Sequence, residues 1–116
     1  MSIARDDATI DYADLIDPGA RPVGPIHPGV ILGEEFLEPL GLSAYALAKA
    51  IGVPRNRITG ILHGARAVSA DTALRLARFF GTSASFWLGL QMDHDLEAAR
   101  AALGDRLERE VTPRAA

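Results

Sequence analysis

The stretch from Ser43 to Arg66, SAYALAKAIGVPRNRITGILHGAR, decides the fold because it reads as two short helices separated by a tight turn. Ser43 is a suitable N-cap, since its hydroxyl can accept a hydrogen bond from an otherwise unpaired backbone N–H of the first turn. Leu47 and Ile51 lie four residues apart on one helical face. Gly52 then predicts the end of this helix, because glycine readily adopts the left-handed conformation of a C-terminal cap.

The second half of the stretch predicts another helix after a very short turn. Pro54 is placed at the first helical position, where proline is tolerated. Ile58, Ile61 and Leu62 follow with the i, i+3, i+4 spacing of a buried helical stripe, and Gly64 ends the helix. Two such helices around a glycine-containing turn form a helix-turn-helix unit.

Further helices are predicted on both sides of this unit. The first spans residues 29–37 and ends at or before Pro39, because proline interrupts a helix interior. A fourth helix begins after the N-cap Ser69 and turns four residues inward: Ala73, Leu76, Ala77 and Phe80. A fifth and longer helix is capped by Thr82 or Ser83. No segment alternates with a period of two, so the predicted class is all-α with five helices.

The predicted organisation is one domain, over residues 26–110, between two terminal segments. Residues 1–25 contain three prolines, counting Pro25, and five aspartates, and they form a predicted acidic extension with one helical turn around DYADLI. Residues 111–116 form a short tail. A chain of 116 residues is long enough for one core and short for two domains.

Several classes of function are disfavoured by composition. The chain has no cysteine, which excludes disulfides and cysteine metal sites and fits a cytoplasmic protein. We expect no secretory signal and no membrane span, because no apolar run is long enough. No catalytic constellation, phosphate loop or H-E-x-x-H motif is present, so we expect neither an enzyme nor a cofactor. Trp87 is predicted to lie in the core, and the histidines are not predicted to bind metal.

Charge is distributed unevenly along this acidic chain. The net charge is −3, yet residues 27–91 carry six basic residues against four acids. Between Ser43 and Arg66 there is no acid at all. A local basic face is what phosphate binding needs, whatever the total charge. The alternative is an ordinary solvated helix surface.

On a helical wheel of about 100° per residue, the second helix of the unit has an apolar stripe on one face and a polar strip on the opposite face. Arg55 and Arg57 flank this strip, in the first turn of the helix. Such a helix suits the major groove, where asparagine can pair with adenine and arginine with guanine or phosphate. The strip consists of Asn56, Thr59, Gly60 and His63.

Gly60 weakens its helix by about 1 kcal/mol relative to alanine. Either it allows the helix backbone to approach DNA closely, or an exposed position merely tolerates it. Tyr45 and Lys49 share the outward face of the preceding helix, where they contact the DNA backbone or form plain surface. Arg66, in the following loop, is the stronger candidate for a phosphate contact.

The pattern PIHPG…FLEPLGLS…LAKAIGVPRNRI…SADTALRLARFFGTSASFWLGLQ resembles the HigA antitoxins, a branch of the Xre-like helix-turn-helix proteins. The resemblance covers residues 25 to about 100. It implies a five-helix core, a dimer and a palindromic operator in the promoter of the protein's own operon. It also implies a HigB-type toxin partner, a small basic ribosome-dependent mRNA endonuclease.

The resemblance assigns roles at matching positions. Arg55 and Asn56 match positions that read bases in related repressor domains, whereas Ser43 and Arg57 match positions near phosphates. Gly60 departs from relatives that carry a base-contacting side chain there, so the operator sequence does not carry over.

The fifth helix is the predicted dimer interface, because it has more apolar surface than a small core needs. The alternative is packing within one chain. Its stripe consists of Leu96, Ala99, Leu103 and Leu107. The acidic extension either docks a basic toxin or stays disordered until it does. Two other functions remain open: a stand-alone Xre-type repressor without a toxin, and a protein-interaction module that no longer binds DNA.

Overall fold

The computed structural model describes residues 25–115 and contains only helices and their connections in that range. The predicted extension, apart from Pro25, and the terminal Ala116 lie outside the described residues. Helix α1 comprises three consecutive segments, Pro28–Ile31, the π-helical Leu32–Leu37 and Glu38–Leu40. The remaining helices are α2 (Ala44–Ile51), α3 (Arg55–Leu62), α4 (Ala70–Phe80), α5 (Ala84–Leu103) and α6 (Arg106–Glu110). The all-α class and the five predicted helices are confirmed. The fifth helix is shorter than predicted, because it ends at Gly104, and Leu107 lies in the separate short helix α6.

Helix α1 passes through Pro39, so the predicted end of this helix was wrong. The backbone N–H of Glu38 donates to the carbonyl of Gly33, five residues earlier, which marks a π turn. Pro39 therefore enters within the first turn of a new α segment, where proline is tolerated. The helix ends at Gly41, which has a left-handed φ of 62°.

Serine caps open three of the helices. The Oγ atoms of Ser43, Ser69 and Ser83 accept from the backbone N–H three residues ahead, at Ala46, Thr72 and Phe86. Thr82, the alternative predicted cap of α5, instead accepts a 2.8 Å hydrogen bond from the indole N–H of Trp87. Pro54 is the N-cap of α3 with an extended ψ of 147°, so the predicted start of α3 at Pro54 was one residue early.

The core lies where all five main helices meet. Trp87 is completely buried, as predicted, and its ring packs against Phe36 with a centroid distance of 4.9 Å. Ala73 and Leu76 of α4 are also buried. The other fully buried large apolar side chains come from α1, α2 and α3: Leu32, Leu47, Ile58 and Ile61. This core fixes both helices of the helix-turn-helix unit against α1, α4 and α5.

Helix α1 approaches α3 very closely at Gly29. A Cβ atom added to Gly29 would lie 1.9 Å from the carbonyl oxygen of Ile61, nearer than any real contact. The residue therefore has to be glycine for α1 to cross the end of α3 at this distance. This crossing, rather than a glycine within α3, is where the fold needs backbone-to-backbone contact.

Candidate nucleic-acid interface

The turn between α2 and α3 is set by Gly52. Its φ of 73° places it in the left-handed region, and the N–H of Val53 bonds to the carbonyl of Ala48 at 3.0 Å. This is the six-to-one bond of a Schellman ending, which satisfies carbonyls that the helix end leaves unpaired. A helix-turn-helix unit with the predicted boundaries at Ser43 and Gly52 is thus confirmed.

Helix α3 buries one face and exposes the other. Ile58 and Ile61 are completely buried. Arg55, Asn56 and His63 are exposed, and within residues 25–115 the side chains of Arg55 and Asn56 form no hydrogen bond or ion pair. Both are therefore available to a ligand. The guanidinium and the amide project from the same helical turn, and each can make bidentate contacts to base edges.

The middle of the polar strip is less accessible than the wheel suggested. Thr59 is half-buried, and its hydroxyl donates a long 3.4 Å bond to the carbonyl of Asn56. Gly60 faces away from the core, as predicted, but it is half-buried because the Arg66 side chain packs over it. A Cβ atom at Gly60 would lie 3.2 Å from Cβ of Arg66.

The loop after α3 turns at Gly64, which has a left-handed φ of 75°, and folds back over Gly60. Its carbonyl accepts hydrogen bonds from the N–H groups of Ala65 and Arg66, at 2.9 and 3.1 Å. The absent side chain leaves room for the aliphatic stem of Arg66, and the guanidinium of this exposed residue has no polar partner in residues 25–115. Gly60 thereby places a free guanidinium beside the outer face of α3, a third explanation that the sequence did not suggest.

A shallow polar cavity of about 220 Å³ lies between α3 and the N-terminus of α4. It is lined by Arg57, Arg66, Ala67, Ser69 and Thr72. Two guanidinium groups next to a helix N-terminus give this cavity a positive field. Arg57, however, is already engaged: its Nη1 lies 3.0 Å from Oδ2 of Asp71.

The remaining predicted contact residues lie on α2. Tyr45 and Lys49 are exposed and one helical turn apart, as expected for a shared outward face. Ser43 is exposed but its Oγ is committed to capping α2. Its hydroxyl can still donate to a phosphate while it accepts from the backbone.

A histidine pair that sequence reasoning missed joins α1 to α5. The rings of His27 and His94, distant in sequence, meet edge to face with centroids 4.9 Å apart. His27 Nδ1 accepts from the N–H of Gly29 at 2.9 Å and so caps α1. Burial lowers the pKa of His27, with His94 adding to the effect, so the imidazole stays neutral as this cap requires.

A buried glutamine connects the pair to the loop before α4. Gln91 is buried, its Oε1 accepts from Val68 N–H at 2.7 Å, and its Nε2 donates to Asp95 at 2.9 Å. Hydrogen bonds from His94 and then Gln91 lower the pKa of Asp95. Among residues 25–115, no group of three or more side chains is suited to hold a metal ion.

The predicted interface stripe on α5 is solvent-exposed for most of its length. Leu96 is 46% exposed and Leu107, in α6, is 50% exposed. Ala99 is exposed, whereas Leu103 is half-buried. Met92 and Leu88, which sequence reasoning did not include, extend the same stripe one and two turns toward the start of α5 and are also exposed. Among residues 25–115, no helix combines the length and apolar character that a membrane span requires.

Three comparisons relate this geometry to known proteins. A helix-turn-helix family profile matches residues 34–87. Virulence-associated protein I of Dichelobacter nodosus is 51% identical over 84 residues, which cover 72% of this chain and 78% of that protein.

Two solved structures are similar over the described domain. An addiction module antidote protein of the HigA family from Coxiella burnetii is 52% identical, with a TM-score of 0.75, and the match covers 79% of this chain and 100% of that one. The Pseudomonas aeruginosa antitoxin HigA, solved with the higBA promoter, is 45% identical, with a TM-score of 0.76 and coverages of 78% and 99%.

Proposed function

The chain belongs to the HigA family of helix-turn-helix antitoxins, and from this premise we propose that it represses its own operon by binding an operator through α3. The observation that carries the proposal is the exposed face of α3. Within residues 25–115, the side chains of Arg55 and Asn56 project from its first turn without polar partners. The Pseudomonas aeruginosa relative that was solved with the higBA promoter supports a DNA ligand.

The contacts divide by chemistry into base reading and phosphate binding. Arg55 and Asn56 read base edges, because their planar groups can form paired hydrogen bonds in the major groove. Thr59, Gly60 and His63 lie further along the same face. Cations and hydroxyls around this face bind phosphates and fix the register of the protein on the duplex. These residues are Ser43, Tyr45, Lys49, Arg57 and Arg66.

A dimer is the second part of the proposal. One helix-turn-helix unit covers a half-site, and a two-fold dimer covers two half-sites separated by about 34 Å or a multiple of it. The exposed apolar stripe of α5 is long enough to join two copies without disturbing the core. A palindromic operator follows from the symmetry of such a dimer.

The direct test uses the duplex that lies immediately upstream of the reading frame. Fluorescence anisotropy at fixed salt compares this duplex with a scrambled duplex of equal length and composition. We expect tighter binding of the upstream duplex by at least about a thousandfold, the usual lower range for specific recognition. Equal affinities would refute operator recognition and favour a protein-interaction module.

Toxin neutralisation is the third part. The Coxiella burnetii relative is an addiction module antidote protein, which supports a toxin partner. We propose that the partner is a small basic HigB-type mRNA endonuclease, to which the five aspartates of residues 1–26 are electrostatically suited. Co-expression with the product of the adjacent reading frame tests this step. Growth arrest that this chain relieves is the expected result, and the absence of a toxic neighbour favours a stand-alone repressor.

A further inference from the structure

Asp71 holds two arginines on a single carboxylate oxygen. Its Oδ2 lies 3.0 Å from Nη1 of Arg57, in the first turn of α3, and 3.0 Å from Nε of Arg75, one turn further along α4. The three charged groups thus form one cluster between α3 and α4. It carries two positive charges and one negative charge, beside the cavity that Arg66 also lines.

The two arginines are held very differently. Arg75 is anchored at both ends of its guanidinium, because its Nη1 also donates to the carbonyl of Ile51 at 2.8 Å and reaches that of Gly52 at 3.4 Å. It therefore caps the C-terminus of α2. Arg57 has Asp71 as its single polar partner within residues 25–115. Of the two cations, Arg57 is the one that can leave.

We propose that Asp71 competes with DNA phosphate for Arg57 and thereby lowers the affinity of the protein for DNA of any sequence. This inference rests on the proposed DNA-binding function and deepens it. When Arg57 turns to a phosphate, Asp71 keeps Arg75 and the positive end of α4, so no carboxylate is left unpaired. The exchange replaces one exposed ion pair by another of similar strength.

The competition has a use for a repressor. Phosphate contacts supply essentially all of the non-specific affinity for DNA. A carboxylate that occupies one of the phosphate-binding cations reduces this background and the operator affinity by the same factor, so the protein leaves random DNA more readily, while the base contacts of Arg55 and Asn56 still set its preference for the operator. Asp71 is therefore an affinity-limiting residue that acts through Arg57.

The test compares Asp71→Asn with a matched control, Asp105→Asn. Asp105 is likewise exposed and paired with an arginine, Arg109, at 3.2 Å, but it lies at the start of α6. The two variants change the net charge equally. We expect Asp71→Asn to bind both the upstream and the scrambled duplex about two- to fivefold more tightly, the range that an exposed ion pair spans. Asp105→Asn should bind like the wild type.

A second background separates competition from general charge. In an Arg57→Ala protein, the further change Asp71→Asn should have no effect on either duplex beyond that of Asp105→Asn. Equal tightening with and without Arg57, or unchanged or weaker binding by Asp71→Asn, overturns the proposal. If the wild type fails to prefer the upstream duplex, operator recognition fails, while the scrambled duplex still tests the competition.

Nuclear magnetic resonance of the wild-type protein tests the exchange without any substitution, which matters if Asp71→Asn is poorly folded. Addition of the scrambled duplex should shift the guanidinium signal of Arg57, because it changes partner. The signal of Arg75 should stay in place. An unmoved Arg57 signal in the DNA-bound protein contradicts the proposal.

Discussion

At the scale of single residues, His27 connects three parts of the molecule through one imidazole ring. Its Nδ1 caps α1, its ring contacts His94 of α5, and the nearby backbone of Arg66, in the loop beside α3, acts to raise its pKa against the larger effect of burial. The cap needs an unprotonated Nδ1, because a protonated nitrogen cannot accept from the N–H of Gly29. The protonation state of this one side chain therefore affects the contacts that hold α1 beside the candidate DNA interface.

His27 gives the stability of the fold a predicted pH dependence. Its pKa in the folded protein lies below the ordinary 6.5, mainly through burial, so the unfolded chain binds the proton more readily. The stabilising contribution is complete above pH 6.5 and is lost as the pH falls below 6.5 through the folded pKa. Urea unfolding between about pH 7.5 and 5 measures this loss.

The control for this prediction is His27→Asn, since asparagine is an effective N-cap that does not titrate in this range. Both proteins keep the side chains that surround position 27, so the two stability curves differ through the substitution of His27. We expect the wild type to lose stability relative to the variant as the pH falls. Parallel stability curves for the two proteins would show that His27 is not the titrating group.

At the scale of secondary-structure elements, the crossing of α1 over α3 depends on Gly29. We expect Gly29→Ala to destabilise the protein by about 2–3 kcal/mol or more, because the new methyl group collides with backbone rather than with a movable side chain. Gly33→Ala on the same helix is the matched control. Its Cβ atom would lie 3.5 Å from the Leu62 side chain, an ordinary contact.

Chemical denaturation of the two glycine variants checks this prediction. A normal midpoint for Gly33→Ala with a strongly lowered one for Gly29→Ala is the expected result. If both variants unfold like the wild type, α1 does not need the close approach to α3, and the description of this crossing is wrong.

Local chemistry explains which elements were predictable from sequence. Ser43, Ser69 and Ser83 cap their helices within three residues, and Gly52 ends α2 through its own backbone conformation, so short-range patterns sufficed. The route of α1 through Pro39 was not predictable, because it depends on a π turn that no local pattern announced. The residues that start and stop a helix lie close to its ends in sequence, whereas a departure from the α-helical hydrogen-bond pattern has no such local signal.

The candidate site was predictable only in part for the same reason. The exposed positions of Arg55 and Asn56 follow from the helical period of α3. The engagement of Arg57 by Asp71 and the packing of Arg66 over Gly60 depend on contacts 14 and six residues apart, which the wheel of one helix does not include. Tertiary contacts thus changed the interpretation of Gly60, which is the position against which the Arg66 side chain packs.

At the scale of the whole molecule, the exposed stripe of α5 predicts the oligomeric state. We expect Leu96→Asp or Leu103→Asp to give monomers, because either change buries an unpaired charge in the interface. Sedimentation equilibrium measures the result. Leu74→Asp is the control, since Leu74 is a 63% exposed leucine on α4, outside the stripe. Dimers that persist in both stripe variants would place the interface on another surface.

The measurement that tests the central claim most directly is operator affinity after substitution in the first turn of α3. Arg55→Ala and Asn56→Ala should each weaken binding of the upstream duplex by about 1–3 kcal/mol and reduce the preference over the scrambled duplex. Arg106→Ala in α6 removes the same charge elsewhere and should leave that preference unchanged. If both α3 variants retain the affinity and preference of the wild type at fixed salt, α3 is not the recognition helix.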